Sequence, residues 1–507
     1  MSDELMELSE GWEWAKLGDI LSILSGEAFK KKDYSASGVK LLQIANVSFG
    51  KVIWEQQNFL PEEFLSKYPE LVLEKGDIVM ALNRPILNGL LKIACLKEDD
   101  APAVLYQRVA RFNLILNEMR EYFFNYTGSP LFLQLIRNNL QGSDQPYINT
   151  STLPAFLIPL PPLNEQKRIV AAIESLRERS QKARSALAAI PELCNKFRQS
   201  VLAAAFRGDL TADWREQNPD VESASKSLRL VHKKWQEQYE EGCLQAKLDK
   251  EAKPKRPIYL DFKLEESIEE PENIPKNWVR APIGLICDCI VPGRDKPKSF
   301  SGSIPWITIP DIASNEIDKS LSNLCLSEEE IQEVNARIIP ANSVVMSCVG
   351  RFGISAIAKT PIVINQQLHA FLKSQLILPK YLMYHIRVLV DYMNNLATAT
   401  TISYLNKSNC NSLPINLPPL LEQVEIVRRI DDLFRITDQM EQQYQKSEEW
   451  IEQLNRSILA KAFRGELVEQ DPNDEPASVL LERIRVDREQ QMQGKIKKPG
   501  KKKRTGD

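Results

Sequence analysis

LPPLNEQKRIV, residues 160–170, returns as LPPLLEQVEIV at 417–427, 257 positions later (417 − 160). Two prolines, a leucine, one variable residue and then Glu-Gln running into an apolar helix is not a generic surface pattern. Over 160–176 against 417–433, ten of seventeen positions match. The same offset pairs SVLAAAFRGDL (200–210) with SILAKAFRGEL (457–467), where eight of eleven match, with no insertion or deletion between. It reaches backwards to pair Tyr147-Ile-Asn with Tyr404-Leu-Asn. An internal repeat of this length decides the fold reading before any local propensity does.

Upstream the similarity fades but its landmarks persist. Trp12 and Gly18 correspond to Trp278 and Gly284, and DIVM at Asp77 to SVVM at Ser343. Gln107 pairs with Gln366. The chain is therefore a tandem duplication, each half with a divergent front and a well-matched helical back. The fronts mix short β-rich runs (KLLQIANVSF, DIVMAL, SIPWITIPDI, SVVMSCV) with helical stretches, punctuated by Gly, Pro and Asn. Two tandem α+β domains are expected, each followed by a long helix.

Both backs carry heptad spacing. Ile169, Ile173, Leu176, Ser180, Ala183, Leu187, Ile190, Cys194, Phe197 and Val201 step 4-3-4-3. So do Ile426, Ile430, Leu433, Thr437, Met440, Tyr444, Ser447, Ile451, Leu454 and Ile458. The spacing predicts that the helices pair as an antiparallel coiled coil, with Ser180 and Thr437 as small hydroxyls in the seam and a break near Pro191. Boundaries fall at 1–163, 164–210, 211–272, 273–420, 421–467 and 468–507. These are a first front, a first helical region, a helical segment with linker, a second front, a second helical region, and a C-terminal helix with a basic tail.

At 507 residues the chain is long enough for several sizeable cores, and 43% apolar with 26% charged residues fits a soluble globular protein. No apolar run suits a membrane span, and the acidic, polar N-terminus is unlike a targeting peptide. A cytosolic location with reduced thiols follows for the eight scattered cysteines. Three histidines and a lone C-x-C at Cys287 and Cys289 argue against a metal centre. A net charge of −3 confines any nucleic-acid contact to local basic patches. No phosphate-binding glycine loop, cofactor loop or methyltransferase block is present, and Pro310-Asp311 with Glu316 to Lys319 has the wrong spacing for a nuclease triad. No catalytic residues and no bound cofactor are expected in this chain.

These paired motifs resemble the conserved regions of specificity subunits of type I restriction-modification systems, over nearly the whole chain. The resemblance implies two target-recognition domains that read the halves of a split double-stranded DNA sequence. It implies assembly with two modification (methyltransferase) subunits and with restriction (translocase and nuclease) subunits. S-adenosylmethionine, ATP and magnesium then belong to those partners, and the assembled complex is an adenine methyltransferase and ATP-dependent endonuclease. A repeated helix of about 40 Å, at 1.5 Å per residue, is close to one DNA turn of about 34–36 Å, and so suits two reading heads. Alternatives are a modification-only complex without restriction, or a coiled-coil scaffold unrelated to DNA.

DNA contacts need side chains that reach phosphates or base edges. Lys30, Lys31 and Lys32 lie in a loop after a strand, and Arg294, Lys296 and Lys298 occupy the matching loop of the second front. Arg84 and Arg351 follow the paired DIVM and SVVM strands. The loops before the repeated helices offer Gln141, Ser143, Gln145 and Tyr147, and Thr400, Thr401, Ser403, Tyr404 and Lys407. Glu165, Gln166, Glu422 and Gln423 are expected to dock the methyltransferase partners, because Glu-Gln repeats while the capping position (Asn164 against Leu421) does not. Arg207 and Arg464, before the terminal glycines, are partner candidates too. The basic tail, with seven Lys and Arg from Lys495 to Arg504, is a solvated or phosphate-contacting extension.

Overall fold

Pro191 breaks the first repeated helix where its ring chemistry requires. One helix runs Leu163–Leu187, and the next, Ile190–Arg207, starts with Pro191 in its first turn, where a missing N–H costs nothing. The second repeated helix is continuous over Leu420–Ala462. The structure, a computed structural model, describes residues 7–293, 295–397 and 403–496, with side chains as far as 490. The chain divides beside the break into two units, and neither is a contiguous half. One joins Met1–Ala188 to Gln445–Asp507, and the other is Ala189–Tyr444.

In the first unit a five-stranded sheet has the spatial order Leu21–Ser25, Val109–Leu114, Ile78–Ala81, Ile93–Cys95, Phe49–Gly50. A second sheet orders Phe59–Leu60, Val39–Leu42, Ala103–Leu105, Val72–Leu73. Glu13–Lys16 pairs antiparallel with Leu157–Leu160, Glu13 opposite Leu160. In the second unit the five-stranded sheet runs Cys289–Ile290, Leu368–Phe371, Val344–Ser347, Ser355–Ala358, Glu316–Ile317, beside a three-stranded sheet. Val279–Pro282 pairs there with Pro414–Leu417. The five-stranded sheets correspond strand for strand despite the divergent sequences, whereas the second sheet has four strands in the first unit and three in the second. Ile78–Ala81 and Val344–Ser347 are buried along their whole length, which is why both read as continuous apolar runs rather than alternating ones.

The repeated AFRG motif has a packing explanation. Phe206 ends the helix that follows the first front, yet its ring packs in the second unit, 5.2 Å from Tyr381 and 4.5 Å from His385. Phe463 ends the other repeated helix and packs in the first unit, 5.3 Å from Tyr122 and 5.2 Å from Tyr126. The glycines that follow, Gly208 (φ +87°) and Gly465 (φ +77°), terminate the helices in the left-handed region. A Cβ on either would strike Pro275 or Ser9, at the start of the front against which that helix ends. Each front domain is thus closed by the helix that follows the other one.

Antiparallel pairing holds in the second unit, where Cys194 faces the Thr437 carbonyl at 3.9 Å and Arg429 reaches back to Asp213 at 2.6 Å. Ser180 and Thr437 are buried as the heptads require, and so are Ile169, Ile173, Val201, Ile426, Ile430 and Ile458. Phe197 (42% exposed), Met440 (47%) and Leu454 (51%) depart from the expected seam, and Ala183 is exposed as well. Past the break Arg198 takes the inward position instead of Phe197. Its guanidinium donates to Glu441 at 2.7 Å and Asp438 at 2.6 Å, and holds the Glu441 carboxyl below the usual carboxylate range.

The Glu-Gln docking expectation is overturned. Glu165 and Gln166 are 1% exposed, and Glu422 and Gln423 are 0% exposed. The Trp12 indole N–H donates to Glu165 at 3.1 Å, and the Trp278 indole N–H to Glu422 at 2.9 Å. Thr211, Arg215 and Asn277 also donate to Glu422, at 2.8, 2.6 and 3.1 Å. Gln166 and Gln423 donate back to the Pro161 and Pro418 carbonyls, 3.0 Å each. A partner surface has no access to these groups, because each side chain ties its helix start to its own front domain. Asn164 does not cap its helix: Pro162 occupies that position, and the Asn164 amide turns to Asp474 at 3.2 Å. Arg207 and Arg464 are exposed and pair with Asp209 and Glu466 two residues on.

Candidate nucleic-acid interface

Four chain segments meet at one end of the first unit's central sheet. After the strand Leu21–Ser25, the backbone of Gly26 and Glu27 bonds to Val109 and Gln107. The turn at 106–108 receives the Leu82 amide on the Arg108 carbonyl at 2.9 Å. The loop at 140–150 joins through bridges from Tyr147 to Asn83 and Gln141, and the Arg84 amide donates to Pro146 O at 2.7 Å. Sequence separations of up to 83 residues (109 − 26) are closed here by backbone hydrogen bonds. The side chains are therefore left free to vary.

The second unit repeats the assembly. The Cys348 amide donates to Gln367 O at 2.9 Å, Val349 bridges Tyr404, and the Gly350 amide donates to Ser403 O at 2.9 Å. The Gln366 side-chain carboxamide donates through Nε2 to the Gly293 carbonyl at 3.1 Å and the Asp295 carbonyl at 3.2 Å, which ties in the loop of Lys296 and Lys298. The register matches Leu82 with Cys348, Arg84 with Gly350 and Arg108 with Gln367. Arg351 is therefore one step beyond Arg84's counterpart.

Most of the residues expected to contact DNA lie on these segments. Lys30, Lys31, Lys32, Arg84, Gln141, Ser143, Gln145 and Tyr147 are exposed in the first unit, as are Lys296, Lys298, Arg351 and Tyr404 in the second. Ser403 is half-buried on the same loop. Lys298 stands 3.9 Å from Glu333, a solvated pair of little energetic weight. Lys407 is half-buried at the start of a short helix capped by Asn406, where its charge lowers the Asp288 and Cys289 pKa values against the larger effect of burial. Arg294, Thr400 and Thr401 fall outside the described residues, as does the tail from 497 onward.

A concavity of about 430 Å³ opens between these segments in the first unit, lined by Asn83, Gln107, Arg108, Tyr147 and Asn149 among others. Asn83, Arg108 and Asn149 are not apparent in the sequence as site residues, because only the hydrogen-bonded turns bring them together. Asp311, of the rejected nuclease triad, is a turn anchor that accepts from Thr308, Ser320 and Leu321. Among the described residues no helix is long and apolar enough to cross a membrane.

Comparison with known proteins agrees with this architecture. A family model described as "Type I restriction modification DNA specificity domain" matches residues 9–187 and again 275–449. The specificity subunit of type I restriction enzyme EcoBI from Escherichia coli is 26% identical over 96% of this chain and 94% of its own length. That of MjaVIII from Methanocaldococcus jannaschii is 47% identical, over 34% of this chain and 41% of its own. Among solved structures, the HsdS subunit from Thermoanaerobacter tengcongensis aligns with a TM-score of 0.52 at 21% identity, covering 92% of this chain and all of that one. A chain from a structure on assembly and conformational transition of the type I R-M system aligns at 0.61 and 20% identity, covering 91% and 99%. With two matched copies of the domain, the same doubled topology and full-length relatives, this chain belongs to the family of type I restriction-modification specificity subunits.

Proposed function

We propose that the chain reads a split duplex DNA sequence, one half with each recognition domain, on behalf of a cytoplasmic complex with two methyltransferase subunits and with restriction subunits. The observation that carries this reading is the loop assembly. Three of the four segments are held by corresponding backbone bonds in both units, and the fourth is tied by backbone in the first unit and by the Gln366 side chain in the second, while the exposed side chains differ. Exposed lysines on the rim provide phosphate contacts, and carboxamides, hydroxyls and arginines supply base-edge contacts. Catalysis and the cofactors S-adenosylmethionine, ATP and magnesium belong to the partners in this reading.

Methyltransferase docking is assigned to exposed apolar pairs on the helical rod, in place of the buried Glu-Gln. Leu193 and Phe197, and Ile436 and Met440, are 42–59% exposed and stand four residues apart on two helices that pack together. Each pair therefore presents one helix face. A surface of this kind suits a partner helix.

The test is the map of methylated adenines in cells with and without the chain. A single two-part motif that vanishes with the chain is the expected result, and methylation without sequence preference would sink the proposal. The triple substitution K30A/K31A/K32A is expected to weaken DNA binding evenly across sequences. It should also reduce the slope of log affinity against log salt by about one per lost phosphate contact.

A further inference from the structure

The concavity in the first unit contains an arginine whose backbone is strained. Arg108 sits at φ +64° and its neighbour across the turn, Arg84, at φ +46°. Among the described residues, the other non-glycine residues at positive φ are four asparagines and Lys250. Asparagine adopts the left-handed conformation readily, whereas a longer side chain holds it at a cost of about 1–3 kcal/mol. Strain of this size persists where the surroundings fix the backbone, here the 2.9 Å bond from the Leu82 amide to the Arg108 carbonyl.

Among the described residues the Arg108 guanidinium has no ion pair and donates no hydrogen bond. Its companions in the concavity, Asn83, Gln107 and Asn149, carry amides that both donate and accept, and no carboxylate lines it. A phosphate asks for exposed cations such as Lys30, Lys31 and Lys32, which do not line the concavity. A concave set of carboxamides around one guanidinium asks instead for a flat edge with paired acceptors and donors, which is a base edge in a DNA groove.

The second unit puts Gln367 at the matching position, exposed and bonded through its backbone to Cys348 in the same way. Val349 replaces Asn83 there. We infer that Arg108 and Gln367 are the equivalent base-reading residues of the two recognition domains, Arg108 selecting guanine in one half of the target and Gln367 selecting adenine in the other. The chemistry follows from geometry. A guanidinium donates twice to guanine O6 and N7, and a carboxamide accepts from adenine N6 while donating to N7. This assignment rests on the DNA-reading proposal above.

Methylated sites mapped in cells that express the full-length chain or its variants with native partners test it. Arg108→Gln is expected to exchange one guanine for adenine in one half of the motif and to leave the other half unchanged. Gln367→Arg is expected to make the reverse exchange in the opposite half. Arg108→Gly suits a positive φ, so it should fold as stably as the parent while losing about 5- to 150-fold of the preference at that base. A parent chain that gives no motif brings down the DNA-reading proposal and this inference together. A parent motif that survives Arg108→Gln unchanged overturns only the inference. So does an even fall in methylation with the motif intact, which marks a phosphate contact.

Discussion

The Glu of the repeated motif meets a tryptophan in both units, but its further support differs. Glu422 accepts from Trp278, Thr211, Arg215 and Asn277, with the Arg215 guanidinium at 2.6 Å. Glu165 accepts from Trp12, and burial raises its carboxyl above the usual range against the pull of Trp12, Arg168 and, more weakly, Gln470. The segment after Gly208 supplies Thr211 and Arg215, whereas its counterpart after Gly465 has Val468 and Pro472. One motif thus tolerates two electrostatic solutions, because the geometry to be conserved is the joint between helix and recognition domain rather than a particular set of charges.

The largest test of that contrast is neutralisation. Glu422→Gln leaves Arg215 without its buried partner and is expected to destabilise the second unit by about 3–5 kcal/mol, the usual cost of halving a buried ion pair. Glu165→Gln should leave the first unit within about 1 kcal/mol of the parent, since a costly buried charge is removed and the new carboxamide oxygen can still accept from Trp12. Denaturant unfolding followed by hydrogen exchange on peptides of each unit distinguishes the two. Equal losses would show that the supporting donors do not matter.

Next come the crossed phenylalanines. Phe206→Ala is expected to cost about 3–5 kcal/mol and to loosen peptides around Tyr381, in the second unit. Phe463→Ala should do the same around Tyr122, in the first. Protection lost mainly in the recognition domain on the mutated residue's own side of the repeat would contradict the crossed packing.

The smallest effect is one of pH. His385 and His369 are buried in the second unit, where desolvation pushes their pKa values down to about 3 and about 4. Tyr126 stands at the place of His385 in the first unit, its hydroxyl donating to the Leu157 carbonyl. A histidine depressed on folding binds its proton more tightly in the unfolded chain. Stability is therefore lost as pH falls below the unfolded value near 6.5, about 1 kcal/mol per histidine by pH 5.5. Burial raises Asp288 in the second unit and Glu165 in the first, and both work the other way. Protection factors, corrected for the intrinsic exchange rate, should fall between pH 7 and 5.5 more in the second unit than in the first. His385→Tyr should narrow the difference, and a gap that persists at full size would remove the histidines as its source.

The duplication, the α+β fronts, the helical backs, the break at Pro191 and the buried Ser180 and Thr437 were legible in the sequence. Each is a matter of local periodicity or covalent geometry. The family followed from motifs long enough to be specific. Most candidate contact loops were legible as well, since Gly, Lys and hydroxyl residues mark exposed turns.

Two features were not. Glu-Gln looked like a surface signal because charge in a helix's first turn is ordinarily solvated, and only the fold brings Trp12 and Trp278 onto it. Asn83, Arg108 and Asn149 carry no local signature, since backbone bonds across long sequence separations create the concavity they line. The sequence by itself determined what is repeated and where the chain changes from domain to rod. The tertiary structure alone decided that each recognition domain is completed by the other half's helix. Antiparallel pairing sends Phe206 and Phe463 to cores far along the chain, and no pattern within either half records that destination.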